Sequence, residues 1–179
     1  IFPVDSTEPI CRHRIDTQAD QGYAHIVHRI GHLVDEMERI SGISRPEVIG
    51  FGTPGAMEPS TGLMKNCNTT CLNGQPLPAD IETAIGRKAI VANDANCFAL
   101  AEAVLGAGRG AESVFGVIMG TGVGGGIVIE GKPLQGAQAI GGEWGHNALP
   151  LPRDDERPGP ACYCGRAGCV EAWLSGPAV

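Results

Sequence analysis

Ser113-Val-Phe-Gly-Val-Ile-Met-Gly-Thr-Gly-Val-Gly-Gly-Gly-Ile-Val-Ile-Glu130 is the stretch that decides the architecture. Gly120, Gly122 and Gly125 satisfy the dinucleotide pattern G-x-G-x-x-G, which functions only where a helix follows the glycines and its N-terminus meets a pyrophosphate. Here Ile127-Val128-Ile129 follows, and β-branched residues, stiff at χ1, favour extended backbone. The unit therefore reads as a strand over 113–119, a glycine turn over 120–126 and a strand over 127–130 that ends at Gly131-Lys-Pro133: a hairpin. A glycine-rich tip can offer backbone N–H groups to a phosphate because no Cβ blocks the approach, and Thr121 adds a hydroxyl. The alternative is an ordinary hairpin that uses glycine for its φ angles. Five glycines within 120–126 exceed what a turn requires, which favours the phosphate reading.

Upstream, residues 20–41 place Ile26, Ile30, Leu33, Val34, Met37 and Ile40 on one helical stripe. His25, His28 and His32 repeat around that helix and read as solvated or interfacial rather than as ligands. A short strand over 47–52 enters the tight bend Gly52-Thr-Pro-Gly55, and 66–74 reads as a polar loop. Residues 80–88 suit a short helix, 89–92 a buried strand and 95–105 a second helix that Asn93 or Asp94 could cap. Alternating strand and helix signals of this kind define an α/β chain.

Downstream, Cys162-Tyr-Cys-Gly-Arg-Ala-Gly-Cys169 gathers three thiols within eight residues, and His146 lies just upstream after Gly-Gly-Glu-Trp-Gly. Three thiolates and one imidazole complete a tetrahedral zinc set with no open position, so the ion builds a site instead of reacting. Disulfides or buried thiols are the alternatives. The net charge of −7 and the absence of a secretory segment give an oxidising compartment no support, and Cys-x-Cys is too tight for an easy internal bridge. Cys11, Cys67, Cys71 and Cys97 are scattered and read as reduced thiols. The segment 150–160, proline-rich and charged, is an excursion inside the metal loop.

With 20 acidic against 13 basic residues the chain offers no nucleic-acid surface in this segment, and no apolar stretch is long enough for a bilayer. No targeting segment is visible, so a cytoplasmic location is the expectation. Ile1-Phe-Pro-Val4 reads like a strand already under way and nothing evidently closes the chain at Val179, so it is read as an internal piece of a longer protein.

Taken together, Gly52-Thr-Pro-Gly55, Asn93-Asp-Ala-Asn96, the glycine run 120–126, Gly142-Glu-Trp-Gly-His146 and Cys162 through Glu171 resemble the ROK family of sugar kinases, open reading frames and repressors. The runs 65–74 and 142–150 look most similar to its bacterial fructokinase and mannofructokinase branch. The resemblance implies an actin-like, hexokinase-like (ribonuclease H-like) two-domain fold, with 1–111 the remainder of a small N-terminal domain, 112–179 the beginning of a larger one, and sugar in the cleft. It implies transfer from Mg2+-ATP to a hexose, with D-fructose to fructose 6-phosphate the expectation and glucose, mannose or an N-acetylhexosamine the alternatives.

By the same analogy Asp94 is the general base; Asn68, Asn93, Asp94, Glu143, His146 and Glu171 hold sugar hydroxyls; Gly120, Thr121, Gly122 and Gly124 meet phosphate; and His146, Cys162, Cys164 and Cys169 bind a structural Zn2+. A homodimer is implied for the parent protein. These roles suit phosphoryl transfer, which needs positioning and a carboxylate to accept the hydroxyl proton. On spacing alone Asp94 is equally a helix cap, and Glu143 and Glu171 are equally solvated surface charges. The family's opening Asp-x-Gly-Gly-Thr loop has no counterpart in 1–50, so the kinase role is assigned to the parent protein. Two other readings stand beside it: a sugar-responsive repressor carrying a helix-turn-helix before Ile1, and a zinc-stabilised sugar-binding relic without catalysis.

Overall fold

The computed structural model describes residues 1–2 and 8–179. The strand read over residues 1–4 falls partly on 3–7, outside the described residues, and Ile1 and Phe2 lie in no strand. The chain divides into two compact units, Ile1–Asn93 and Asp94–Val179.

In the first unit, α1 (Tyr23–Ser41) and α2 (Leu77–Ile85) pack on a parallel pair formed by β1 (Val48–Thr53) and β4 (Lys88–Asn93). The register runs from Val48 opposite Lys88 to Thr53 opposite Asn93. Between β1 and α2 lie the two-residue strands β2 (Ala56–Met57) and β3 (Met64–Lys65), which pair antiparallel. The core is Ile26, Met64, Cys67, Leu72, Leu77, Ile81 and Ile85, with Ile30, Val34, Ile49, Phe51 and Val91 packed on it. Both helices stop at a left-handed glycine, Gly42 and Gly86, whose N–H bonds back to Glu38 and Glu82. At the far end of the α1 stripe the sequence expectation fails: Ile40 is 48% exposed, beyond Val34, the last α1 residue packed on the core cluster. β4 is likewise not a wholly buried strand, because side chains alternate across it and Ile90 points away from the helices, 56% exposed.

In the second unit, α3 (Asp94–Val104) packs on the antiparallel sheet β5 (Ser113–Met119), β6 (Val123–Ile129) and β7 (Lys132–Pro133). The expected hairpin is there, but its turn is only 120–122, since Met119 already pairs with Val123. Gly124, Gly125 and Gly126 are strand residues. A Cβ at Gly126 would lie 2.7 Å from the Ala95 carbonyl on α3, and one at Gly125 would lie 3.1 Å from the Gly142 carbonyl. Close backbone approach on both faces therefore explains much of the glycine richness that the sequence reading gave to phosphate. A single turn, α4 (Glu171–Leu174), is followed by a 3-10 turn over Gly176–Ala178. Helix α3, which the sequence reading set ahead of its boundary at 111/112, lies in the second unit. Among the described residues no helix is long and apolar enough to cross a membrane.

Candidate functional site

After β7 the chain runs back along β6. Gly145 sits so close to the hairpin that a Cβ there would lie 2.0 Å from the Val123 carbonyl, and the Trp144 indole N–H donates to the Gly124 carbonyl at 2.7 Å. The Trp144 ring meets Phe115 of β5 edge-on at 6.2 Å. Two arms then close a loop: Leu149 N–H to Gly168 O at 2.9 Å, Val170 N–H to Asn147 O at 2.9 Å, and Glu171 N–H to Gly145 O at 2.8 Å. This pairing sets Cys169, 1% exposed, beneath His146, and the Glu171 side chain against the hairpin.

Within that loop the ligand atoms of His146, Cys162, Cys164 and Cys169 all lie within 4.8 Å of one another. Cys162 Sγ is 3.5 Å from His146 Nδ1, and Cys164 Sγ is 3.6 Å from Cys169 Sγ. Zinc about 2.3 Å from sulfur and about 2.0 Å from nitrogen, in a tetrahedron, separates neighbouring ligand atoms by roughly 3.5–3.8 Å. The donor set, with these two separations, fits a four-coordinate ion, which His146 would meet through Nδ1. Nε2, turned the other way, lies 3.0 Å from the Tyr163 hydroxyl and 4.0 Å from Glu171 Oε1.

Glu171 is the hinge of the arrangement. It is 9% exposed, and its Oε2 accepts the Val123 N–H at 2.8 Å. A Cβ at Gly122 would lie 2.7 Å from the same oxygen, so glycine is what admits the carboxylate to the hairpin. Glu143 is open to solvent on one side, yet the protein around it pushes its carboxyl above the ordinary range, and the negative charges of Asp94 and Glu171 push it further against the opposing effect of His146. Asp94, His146 and Glu171 therefore all act on Glu143 within the second unit. Asp94 opens α3, exposed, with Oδ1 accepting the Ala95 N–H at 2.9 Å.

Asn68 and Asn93 belong to the first unit. Asn68 Oδ1 accepts the Thr69 N–H, and Asn93 Nδ2 donates to the Gly55 carbonyl at 2.9 Å, tying β4 to the bend after β1. Of the hairpin residues, Thr121 is exposed at the tip; the Gly120 N–H donates to Gly122 O, and a Cβ at Gly124 would lie 3.7 Å from Glu143 Oε2. Two contributors escaped the sequence reading. Trp144 stood inside a quoted motif, and Tyr163 is the middle residue of Cys-x-Cys, a place that must lie beside the ligands.

The family model of the ROK family matches residues 4–179. The chain belongs to the ROK family. Among its curated ROK relatives, the N-acetyl-D-glucosamine kinase of Vibrio cholerae is 39% identical over 176 residues, covering 96% of this chain and 57% of that protein. The chain thus spans little more than half the length of the curated relatives it matches. Among solved structures, the ROK hexokinase from Thermus thermophilus superposes with a TM-score of 0.74 at 38% identity, over 92% of this chain and 52% of that one. A ROK glucokinase from Streptomyces griseus, in complex with glucose and AMPPNP, superposes with a TM-score of 0.69 at 30% identity, over 88% and 47%. The α/β actin- and hexokinase-like fold class expected from the sequence is the fold of these ROK proteins.

The expected branch is corrected by the same comparison. Curated relatives at 35–39% identity are N-acetyl-D-glucosamine kinases, not fructokinases, and the expectation of fructose falls with the branch. The physical reason lies in run 65–74, on which the branch reading leaned. Asn73 accepts the Cys67 N–H at 2.8 Å and donates to the Cys67 carbonyl at 3.2 Å, and the Cys67 thiol is buried against the Pro54 carbonyl. Cys67 and Asn73 serve closure of that loop, so their presence does not report on the hexose.

Proposed function

We propose that the whole protein transfers a phosphoryl group from Mg2+-ATP to an N-acetylhexosamine, N-acetyl-D-glucosamine first, at the 6-hydroxyl that the family resemblance implies. The observation that carries this reading is the identity of 35–39%, across 96% of the chain, to enzymes of that name. The grouping of Asp94, Glu143, His146 and Glu171 supports it, because a polyol needs several acceptors and at least one donor within reach. Bound nucleotide and magnesium supply the phosphoryl group and neutralise its charge. Asp94 accepts the proton of the attacking hydroxyl, while Glu143, Glu171 and His146 Nε2 orient the ring. Asn68 and Asn93 keep the hydroxyl contacts that the resemblance implies.

Zinc, on this reading, is structural. His146, Cys162, Cys164 and Cys169 would hold it, and it would supply no reacting water. Thr121 and the hairpin backbone at Gly120, Gly122 and Gly124 are the phosphate contacts we propose. A cytoplasmic homodimer, with the domain boundary at 111/112, is our proposal for the whole protein.

The test is a substrate panel on the full-length protein, with ATP consumption followed under saturating Mg2+. N-acetyl-D-glucosamine should give a kcat/KM at least about tenfold above glucose and mannose, the discrimination expected when a pocket built for an extra polar group is left unpaired by the plain sugar. Equal or better turnover of glucose would overturn the substrate assignment. No ATP-dependent transfer to any sugar would overturn the kinase.

A further inference from the structure

Tyr163 is 83% exposed, yet its hydroxyl lies 3.0 Å from His146 Nε2, and the Glu171 carboxylate acts on the same hydroxyl. The ring meets the imidazole edge-on at 5.0 Å. A tyrosine projecting this far into solvent has little burial to hold it, so its position follows from the two polar partners at its tip.

His146 Nδ1 faces the thiol cluster, 3.5 Å from Cys162 Sγ, and a metal held there would leave the proton of a neutral imidazole on Nε2. In that tautomer Nε2–H can donate to the phenol oxygen, which leaves the phenol O–H for the Glu171 carboxylate. Glu171 Oε1 and His146 Nε2 are 4.0 Å apart, a gap that one hydroxyl oxygen bridges. A sugar hydroxyl has the same combination, one donated hydrogen and two accepting lone pairs.

We infer that the Tyr163 hydroxyl occupies a sugar-hydroxyl subsite between His146 and Glu171, and that the incoming sugar displaces it. This rests on the reading above that those two residues hold the hexose. Tyr163 is then a residue that sets affinity by competing for the site. A site blocked for part of the time binds with its intrinsic affinity reduced by the fraction of molecules in which it is open. Because the tyrosine is solvent-facing, its polar contacts with His146 and Glu171 compete with water and the blocked state is only modestly favoured. The same competition disfavours ligands that cannot both accept from Nε2–H and donate to the carboxylate, so the subsite selects a hydroxyl over an ether or a hydrogen at that ring position.

The experiment is calorimetric titration of N-acetyl-D-glucosamine into the full-length protein and into Tyr163→Phe and Tyr163→Ala, with the melting curve of each recorded. The phenylalanine removes the hydroxyl that holds the ring in place; the alanine clears the position altogether. Both variants should melt as the parent does and bind the sugar about three- to tenfold more tightly. If the parent binds and phosphorylates the sugar but Tyr163→Phe binds it equally or more weakly, the displacement is wrong and the kinase reading stands. If the parent binds no hexose at all, both fall.

Discussion

Asp94→Asn is expected to lower the kcat of the proposed sugar phosphorylation by the full-length protein by about two to four orders of magnitude, the usual contribution of a positioned general base. The sugar Kd should change by no more than a few-fold. The substitution is isosteric, and an asparagine Oδ1 still accepts the Ala95 N–H that Asp94 accepts at 2.9 Å, so α3 keeps its first turn. What disappears is the capacity to take the hydroxyl proton. A second effect follows from charge. Asp94 helps hold the Glu143 carboxyl above its ordinary range, so the variant's Glu143 should ionise at lower pH than the parent's. Steady-state kinetics with sugar binding measured separately checks the first effect, and carboxyl titration by NMR checks the second. A variant that retains more than about a tenth of kcat removes Asp94 from the role of base.

Cys169→Ser should abolish the proposed zinc binding. Cys169 is the most buried of the four ligands, 1% exposed, and its backbone bridges Ala148 where the two arms of the loop pair. A serine hydroxyl is a poor substitute for a thiolate, and loss of a ligand from a closed site should weaken metal binding by more than about a hundredfold. Elemental analysis should fall from one zinc per chain to a trace, and limited proteolysis should begin within 150–168. Cys97→Ser is the control, since Cys97 is exposed on α3 and outside the cluster. If Cys169→Ser still carries one equivalent of zinc, the four-ligand assignment is wrong.

Periodicity and donor chemistry made a large part of this protein readable in advance. Ile127-Val128-Ile129 excluded a helix after the glycines, and β6 runs through those three residues. His146 and the three cysteines could be named because few other residue sets satisfy a tetrahedral ion. The extent of the glycine turn could not be read, because glycine has no side chain to show alternation; only the approach of α3 on one face and Gly142 on the other reveals Gly125 and Gly126 as strand. Ile40 and Ile90 were misjudged because hydrophobicity names a residue fit for burial without naming a neighbour to bury it. The hexose was misjudged because loop 65–74 is patterned by its own closure around Cys67 and Asn73. Tyr163 was silent because its partners, His146 and Glu171, meet it only after the loop has folded.

The central claim is that one ion holds the loop so that Glu171, two residues beyond Cys169, stays bonded to the Val123 N–H and faces the sugar with His146. The most direct measurement is calorimetric titration of N-acetyl-D-glucosamine into the full-length protein before chelation, after chelation to a verified metal-free state, and after return of one equivalent of zinc. The account predicts a loss of at least about tenfold in affinity on chelation and its recovery with zinc. Metal-free protein that binds the sugar as tightly as the untreated protein would contradict it.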